Sequence, residues 1–87
     1  MEVYKFSAPW CGPCKFYKSV FDEVLSLYKD IEVIEVDIDE QKDLVKKYSI
    51  RAIPTTVFTK NGVELHTSVG INENKELTEL IEKYKDI

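Results

Sequence analysis

The sequence predicts an α/β fold of order β-α-β-α-β-β-α, with a central four-stranded mixed sheet and helices on both faces. Three observations predict it. Residues 2–7 and 31–38 are strand-like, rich in β-branched and aromatic residues. Between them lies a segment whose apolar residues recur three and four apart, the period of an amphipathic helix. Further on, Asn61-Gly62 joins two more strand-like runs, and this dipeptide tolerates the positive φ of a tight hairpin turn.

The elements follow in order. "EVYKFS", residues 2–7, alternates loosely and reads as the first strand. From Gly12 to about Tyr28, the residues Phe16, Val20, Phe21, Val24, Leu25, Leu27 and Tyr28 mark a long helix. Pro13 suits its first turn, where the missing N–H is not needed. "IEVIEVDI", residues 31–38, is the second strand, and 40–48 a short helix carrying Leu44, Val45 and Tyr48, with Asp39 as its cap. Residues 55–60 and 63–69 are the hairpin strands. Leu77, Leu80, Ile81 and Tyr84 form one face of a closing helix, capped by Asn72 or Asn74. The first β-α-β unit requires parallel strands and a right-handed crossover; the hairpin adds an antiparallel pair.

An 87-residue chain with 44% hydrophobic and 32% charged residues is expected to be one domain, residues 1–87, ordered rather than disordered. A formal net charge of -4 argues against a nucleic-acid surface, which usually shows a basic patch. No apolar run approaches the ~20 residues of a membrane span. From Met1 the chain enters a strand-like segment with no secretory leader pattern, so a cytoplasmic location is expected.

Both cysteines lie in "SAPWCGPCK", residues 7–15. Cys-x-x-Cys serves metal ligation, structural bridging and redox catalysis. Zinc needs about four ligands, and this chain offers two thiols and His66, which the alternation of its strand turns toward solvent. Two chains pooling their thiols around an iron–sulfur cluster, or a structural bridge, are further alternatives, the latter disfavoured in a reducing compartment. The redox reading rests on position. Cys11 falls where strand hands over to helix, and unpaired N–H groups there favour a thiolate. A fall in its pKa from ~8.5 to ~7 would raise the thiolate fraction from ~3% to ~50% at neutral pH. Cys14, one turn on and expected to be less exposed, is placed to attack a mixed disulfide formed at Cys11, an intramolecular step. Pro13 stiffens the gap, and Gly12 leaves room for a substrate backbone.

Trp10-Cys11-Gly12-Pro13-Cys14-Lys15 resembles the thioredoxin active site, a highly specific string. "KYSIRAIPT" at 47–55 is similar to the segment with that family's cis-proline, and "FTKNG" and Val69-Gly70 match in order and spacing. The resemblance covers roughly residues 2–84 and is to compact members of glutaredoxin-like size, without the extra N-terminal strand and helix of full-length ones. It implies Cys11 as attacking thiol, Cys14 as resolving thiol, and Pro54 in a cis bond facing them. The backbone at Ile53 would pair with an extended substrate strand, in an apolar groove of Trp10, Ala52, Ile53, Val69, Gly70 and Ile71.

Two positions depart from the family pattern. Thioredoxins usually carry a buried aspartate where this chain has Lys5, and often a lysine where it has Glu35. The pair resembles the family's with its signs exchanged. If both point inward they should pair, because a lone buried charge is costly; the alternative leaves both exposed. Buried and paired, Lys5 could not serve as base for Cys14, and Glu35 would take that role. Ser7 stands where an aromatic residue is usual.

The function expected is thiol–disulfide exchange that reduces protein disulfides, with no metal or organic cofactor. The expected partners are disulfide-containing client proteins and, upstream, a flavin-dependent reductase or glutathione, with the chain a monomer that binds neither nucleic acid nor membrane. A glutathione-linked, glutaredoxin-like reductase and a non-catalytic iron–sulfur-bridged dimer or scaffold are the alternatives.

Overall fold

The computed structural model describes residues 1–87. Its elements are β1 (Glu2–Ser7), α1 (Gly12–Leu25), β2 (Glu32–Asp37), α2 (Lys42–Lys47), β3 (Thr55–Lys60), β4 (Val63–Val69) and α3 (Asn74–Tyr84). The sheet has four strands in the order β2-β1-β3-β4. β1 pairs β2 in parallel, while β1–β3 and β3–β4 are antiparallel. This is the mixed sheet and element order expected from the sequence.

Alternation along the strands divides the apolar residues between two faces. Val3 and Phe58 face α1 and α3 and pack with Tyr17, Phe21, Val24, Leu25, Leu77 and Ile81. Phe6, Val36 and Val57 face the other way, against Tyr48 and the half-buried Leu44 and Val45 of α2. No helix is long and apolar enough to cross a membrane.

Several boundaries and caps differ from expectation. α1 stops at Leu25, three residues short of Tyr28: the N–H groups of Leu27 and Tyr28 donate to Val24 and Leu25, three residues back, tightening the final turn. Leu27 is consequently exposed at 76%. Asp39 does not cap α2, whose N-cap is Gln41 without a side-chain bond. Neither Asn72 nor Asn74 caps α3; its N-cap is Glu73, whose N–H donates to the Glu76 carboxylate at 3.0 Å, as in one half of a capping box. Asn61 and Gly62 take positive φ of 52° and 81°, as the hairpin requires.

His66 is not solvent-facing. The β3–β4 register passes from Phe58↔His66 to Thr59↔Glu64, so Leu65 is the extra residue of a β-bulge. The bulge breaks simple alternation. Leu65 packs against the core shared by α1 and α3, and the half-buried His66 ring stacks on Tyr84 of α3 at 5.4 Å.

Candidate active site

The C-terminal end of β1 delivers the chain to the turn Ala8–Trp10, and Cys11 becomes the N-cap of α1, with extended φ -90° and ψ 110°. Its sulfur accepts a hydrogen bond from the Cys14 backbone N–H at 3.2 Å. A residue type rarely chosen as a cap therefore satisfies an N–H at the helix start. The same N–H and the helix dipole favour negative charge on that sulfur once it is reduced.

Cys11 and Cys14 are joined in a disulfide, with Cα atoms 5.3 Å apart. Both are 5% exposed, so the expected difference in exposure is absent: each sulfur covers the other. Ala8, Ile38 and Ile53 pack around the bridge. Gly12 and Pro13 lie outside it, both exposed.

The Ile53–Pro54 bond is cis, and Pro54 is buried. Ile53 packs its side chain toward the cysteines, while its backbone N–H and carbonyl join no backbone hydrogen bond within the chain. They form an open donor–acceptor pair, suited to a strand added from outside. Beyond it, the Gly70 N–H donates to the Pro54 carbonyl at 2.8 Å. Gly70 holds φ at 92°, a region that favours glycine. Trp10, Val69 and Ile71 are exposed at 66%, 68% and 39%, and Ala52 is exposed beside them in sequence with Ile53.

Trp10 is held rather than loose. Its indole Nε1 donates to Asp39 Oδ2 at 2.8 Å. This is the task of Asp39 in place of capping α2. The 29-residue separation left no local signal for it.

Lys5 and Glu35 are register partners on β1 and β2 and form an ion pair of 2.7 Å. Of the two arrangements left open by the sequence, both inward and paired or both exposed, the structure takes neither: the pair forms with only Lys5 buried. Lys5 is 3% exposed and Glu35 55%. β1 is central and covered by α1, with the Lys5 ammonium 5.1 Å from the centre of the Phe21 ring. β2 is an edge strand, so its carboxylate stays in contact with water. Lys5, Glu35 and Cys14 line one cavity of about 500 Å³, together with Ser7, Ala8 and Lys18.

A further group was not read from the sequence. The fully buried Tyr17 bonds Thr56 and Asn72 through its hydroxyl. Tyr17 shares the face of Phe21, Val24 and Leu25 but is not among the apolar residues that mark the helix by spacing, whereas Phe16, which is, is 63% exposed; the partners of Tyr17 are 39 and 55 residues away.

A family model described as "Thioredoxin" matches residues 2–83. The chain is 40% identical over 82 residues to a thioredoxin of Ophiophagus hannah, covering 94% of this chain and 77% of that one. It is 38% identical over 80 residues to a thioredoxin of Bacillus subtilis, covering 91% and 77%. In structure it resembles the oxidised thioredoxin of Plasmodium falciparum, with a TM-score of 0.84, 37% identity and coverage of 95% and 79%. The chain thus spans a little over three quarters of these relatives.

Proposed function

Since this chain belongs to the thioredoxin family and is, as its relatives are, a thiol–disulfide oxidoreductase, we propose that it runs as a reductant of protein disulfides. The observation that carries the reading is the placement of the Cys11–Cys14 bridge: the first sulfur caps a helix, and the open backbone of Ile53 lies beside it.

The cycle starts from the dithiol. The Cys11 thiolate attacks one sulfur of a client disulfide, and the other client sulfur leaves as a thiolate. Cys14 gives up its proton, attacks the Cys11 sulfur and expels the second client thiolate. The client gains two electrons and, with them, two protons; the chain ends as the disulfide seen here. Lowering the basicity of Cys11 puts more of it in the thiolate form that attacks in the first step. Its own nucleophilicity falls less than its thiolate fraction rises.

In this reading the client lies extended along Ile53, with Trp10, Val69 and Ile71 against its side chains. Pro13 stiffens the gap between the cysteines, and Gly12, with open space where a Cβ would stand, leaves room for the client backbone. Glu35 accepts the Cys14 proton through water in the shared cavity, and Lys5 holds that carboxylate in place. A flavin-dependent reductase restores the dithiol in preference to glutathione, and the chain acts as a monomer in the cytosol. The reducing cytosol suits a thiol pair at reactive rather than structural spacing.

The test is reduction of a protein disulfide with each donor supplied separately. Turnover is expected with the flavoenzyme donor, none with Cys11→Ser, and a trapped client mixed disulfide with Cys14→Ser. Activity surviving Cys11→Ser would sink the reading.

A further inference from the structure

The core between α1 and the sheet contains a chain of polar groups. Ser68 Oγ donates to Asn72 Oδ1 at 3.0 Å. Asn72 Nδ2 donates to the Tyr17 hydroxyl at 3.2 Å. That hydroxyl shares a hydrogen with Thr56 Oγ1 at 2.8 Å. Tyr17 and Thr56 are fully buried and Asn72 is 8% exposed. Burial raises the Tyr17 pKa, so its hydroxyl keeps its proton. Phenylalanine and valine would fill these places without partners to satisfy, whereas a polar group buried there needs every bond. Fully satisfied, such a network rigidifies the core and fixes relative position.

What it fixes is the frame of the client groove. Tyr17 follows Cys14 by three residues on α1 and Thr56 follows Pro54 by two, while Ser68 and Asn72 bracket the exposed Val69, the half-buried Gly70 and the exposed Ile71. The geometry points to the Tyr17 hydroxyl as the positioning group of this groove: through Asn72 it holds the Val69–Ile71 rim at the distance from the cysteines that an extended polypeptide needs. This inference rests on the reductase reading and names a determinant of its preference for protein over small disulfides. A small disulfide reaches Cys11 without touching the rim, so the network governs the affinity for polypeptide clients and leaves the exchange chemistry alone.

The test uses the full chain and two substrates: insulin with dithiothreitol as donor, and a dithiobis-nitrobenzoate mixed with the pre-reduced chain after the donor has been removed, because dithiothreitol reduces that small disulfide directly. In Tyr17→Phe, KM for insulin is expected to rise about fivefold, the equivalent of one net hydrogen bond. Its kcat, the rate with the small disulfide and the alkylation rate of Cys11 stay at wild-type values. Thr56→Ser, which keeps the hydroxyl, holds KM at the wild-type value, and Thr56→Val raises it. An unchanged insulin KM in Tyr17→Phe overturns the proposal, as does a parallel fall with both substrates, which marks plain damage to the core. If Tyr17→Phe does not fold, Ser68→Ala at the half-buried end of the network carries the same test: a raised insulin KM alone supports the proposal, and wild-type kinetics overturn it. A wild-type chain that reduces neither substrate instead overturns the reductase reading.

Discussion

Glu35 shows how one side chain joins stability to chemistry. Its carboxylate offsets a buried ammonium and shares a cavity with Cys14. Glu35→Gln leaves Lys5 uncompensated. The expected loss lies between the ~1 kcal/mol of an exposed pair and the ~3 kcal/mol of a buried one, measured by denaturant unfolding. Resolution of the Cys11 mixed disulfide is expected to slow by about tenfold or more, with a changed pH profile. The double variant Lys5→Met with Glu35→Gln separates the two effects. It restores stability by removing the stranded charge, while resolution stays slow. Recovery of the rate along with the stability would mean that Glu35 handles no proton. At this scale the motif Cys11 to Cys14 was legible because its chemistry is local. The depth of Lys5 was not, because a sequence does not state which strand lies at the edge.

Among the elements, α2 ends in a way that invites a test. The Ile50 N–H bonds the Val45 carbonyl and the Ser49 N–H that of Lys46, with Ser49 at φ 53°. These are the two bonds of a Schellman motif, a place where glycine is usual. Serine there bears a left-handed cost of ~1–2 kcal/mol, partly offset by the greater freedom of glycine in the unfolded chain. Ser49→Gly is expected to stabilise by about 0.5–1 kcal/mol, a rise of a few degrees in Tm, read by calorimetry. At the opposite end of the fold, the Tyr28 hydroxyl donates to Glu82 at 2.7 Å, tying the turn after α1 to α3. That bond first, and Lys85 second, hold the Glu82 carboxyl below its ordinary pKa. A depressed folded pKa gives stability above the unfolded value, and that stability disappears as pH falls through the folded one. In Tyr28→Phe the Glu82 titration is expected to move up toward its ordinary value, leaving less stability to be lost on acidification. An NMR titration checks it, and an unmoved midpoint would contradict the assignment of cause. These helix ends were the least legible elements. Asp39, Asn72 and Asn74 were all plausible caps by type, but Asp39 and Asn72 are engaged by distant groups, Trp10 and Tyr17.

Across the whole molecule, sheet order sets a gradient of protection. β1 and β3 are central and β2 and β4 are edges. Val3, Phe6, Val57 and Phe58 on the central strands are almost fully buried. Amides of β1 and β3 are therefore expected to exchange only with global unfolding, and the outward-facing amides of β2 and β4 faster. Hydrogen exchange followed by NMR distinguishes this from uniform protection. The gradient also explains the site. The cysteines follow the end of central strand β1, while the apolar rim lies at the end of edge strand β4 and in the loop after it. A rigid thiol pair faces a wall anchored by side-chain hydrogen bonds.

The amino-acid sequence by itself determined the order of elements, the sulfur pair at a helix start and the hairpin at Asn61-Gly62, because each depends on residues within one or two turns of chain. Its likeness to a family added the cis bond before Pro54. Tertiary structure alone decided the turning of His66 by the bulge at Leu65, the unequal burial of Lys5 and Glu35, the hold of Asp39 on Trp10 and the meeting of Tyr17 with Thr56 and Asn72. Each of these depends on strand register, or on partners 29 to 55 residues apart. No local periodicity encodes such distances; they are fixed only when the sheet closes on its helices.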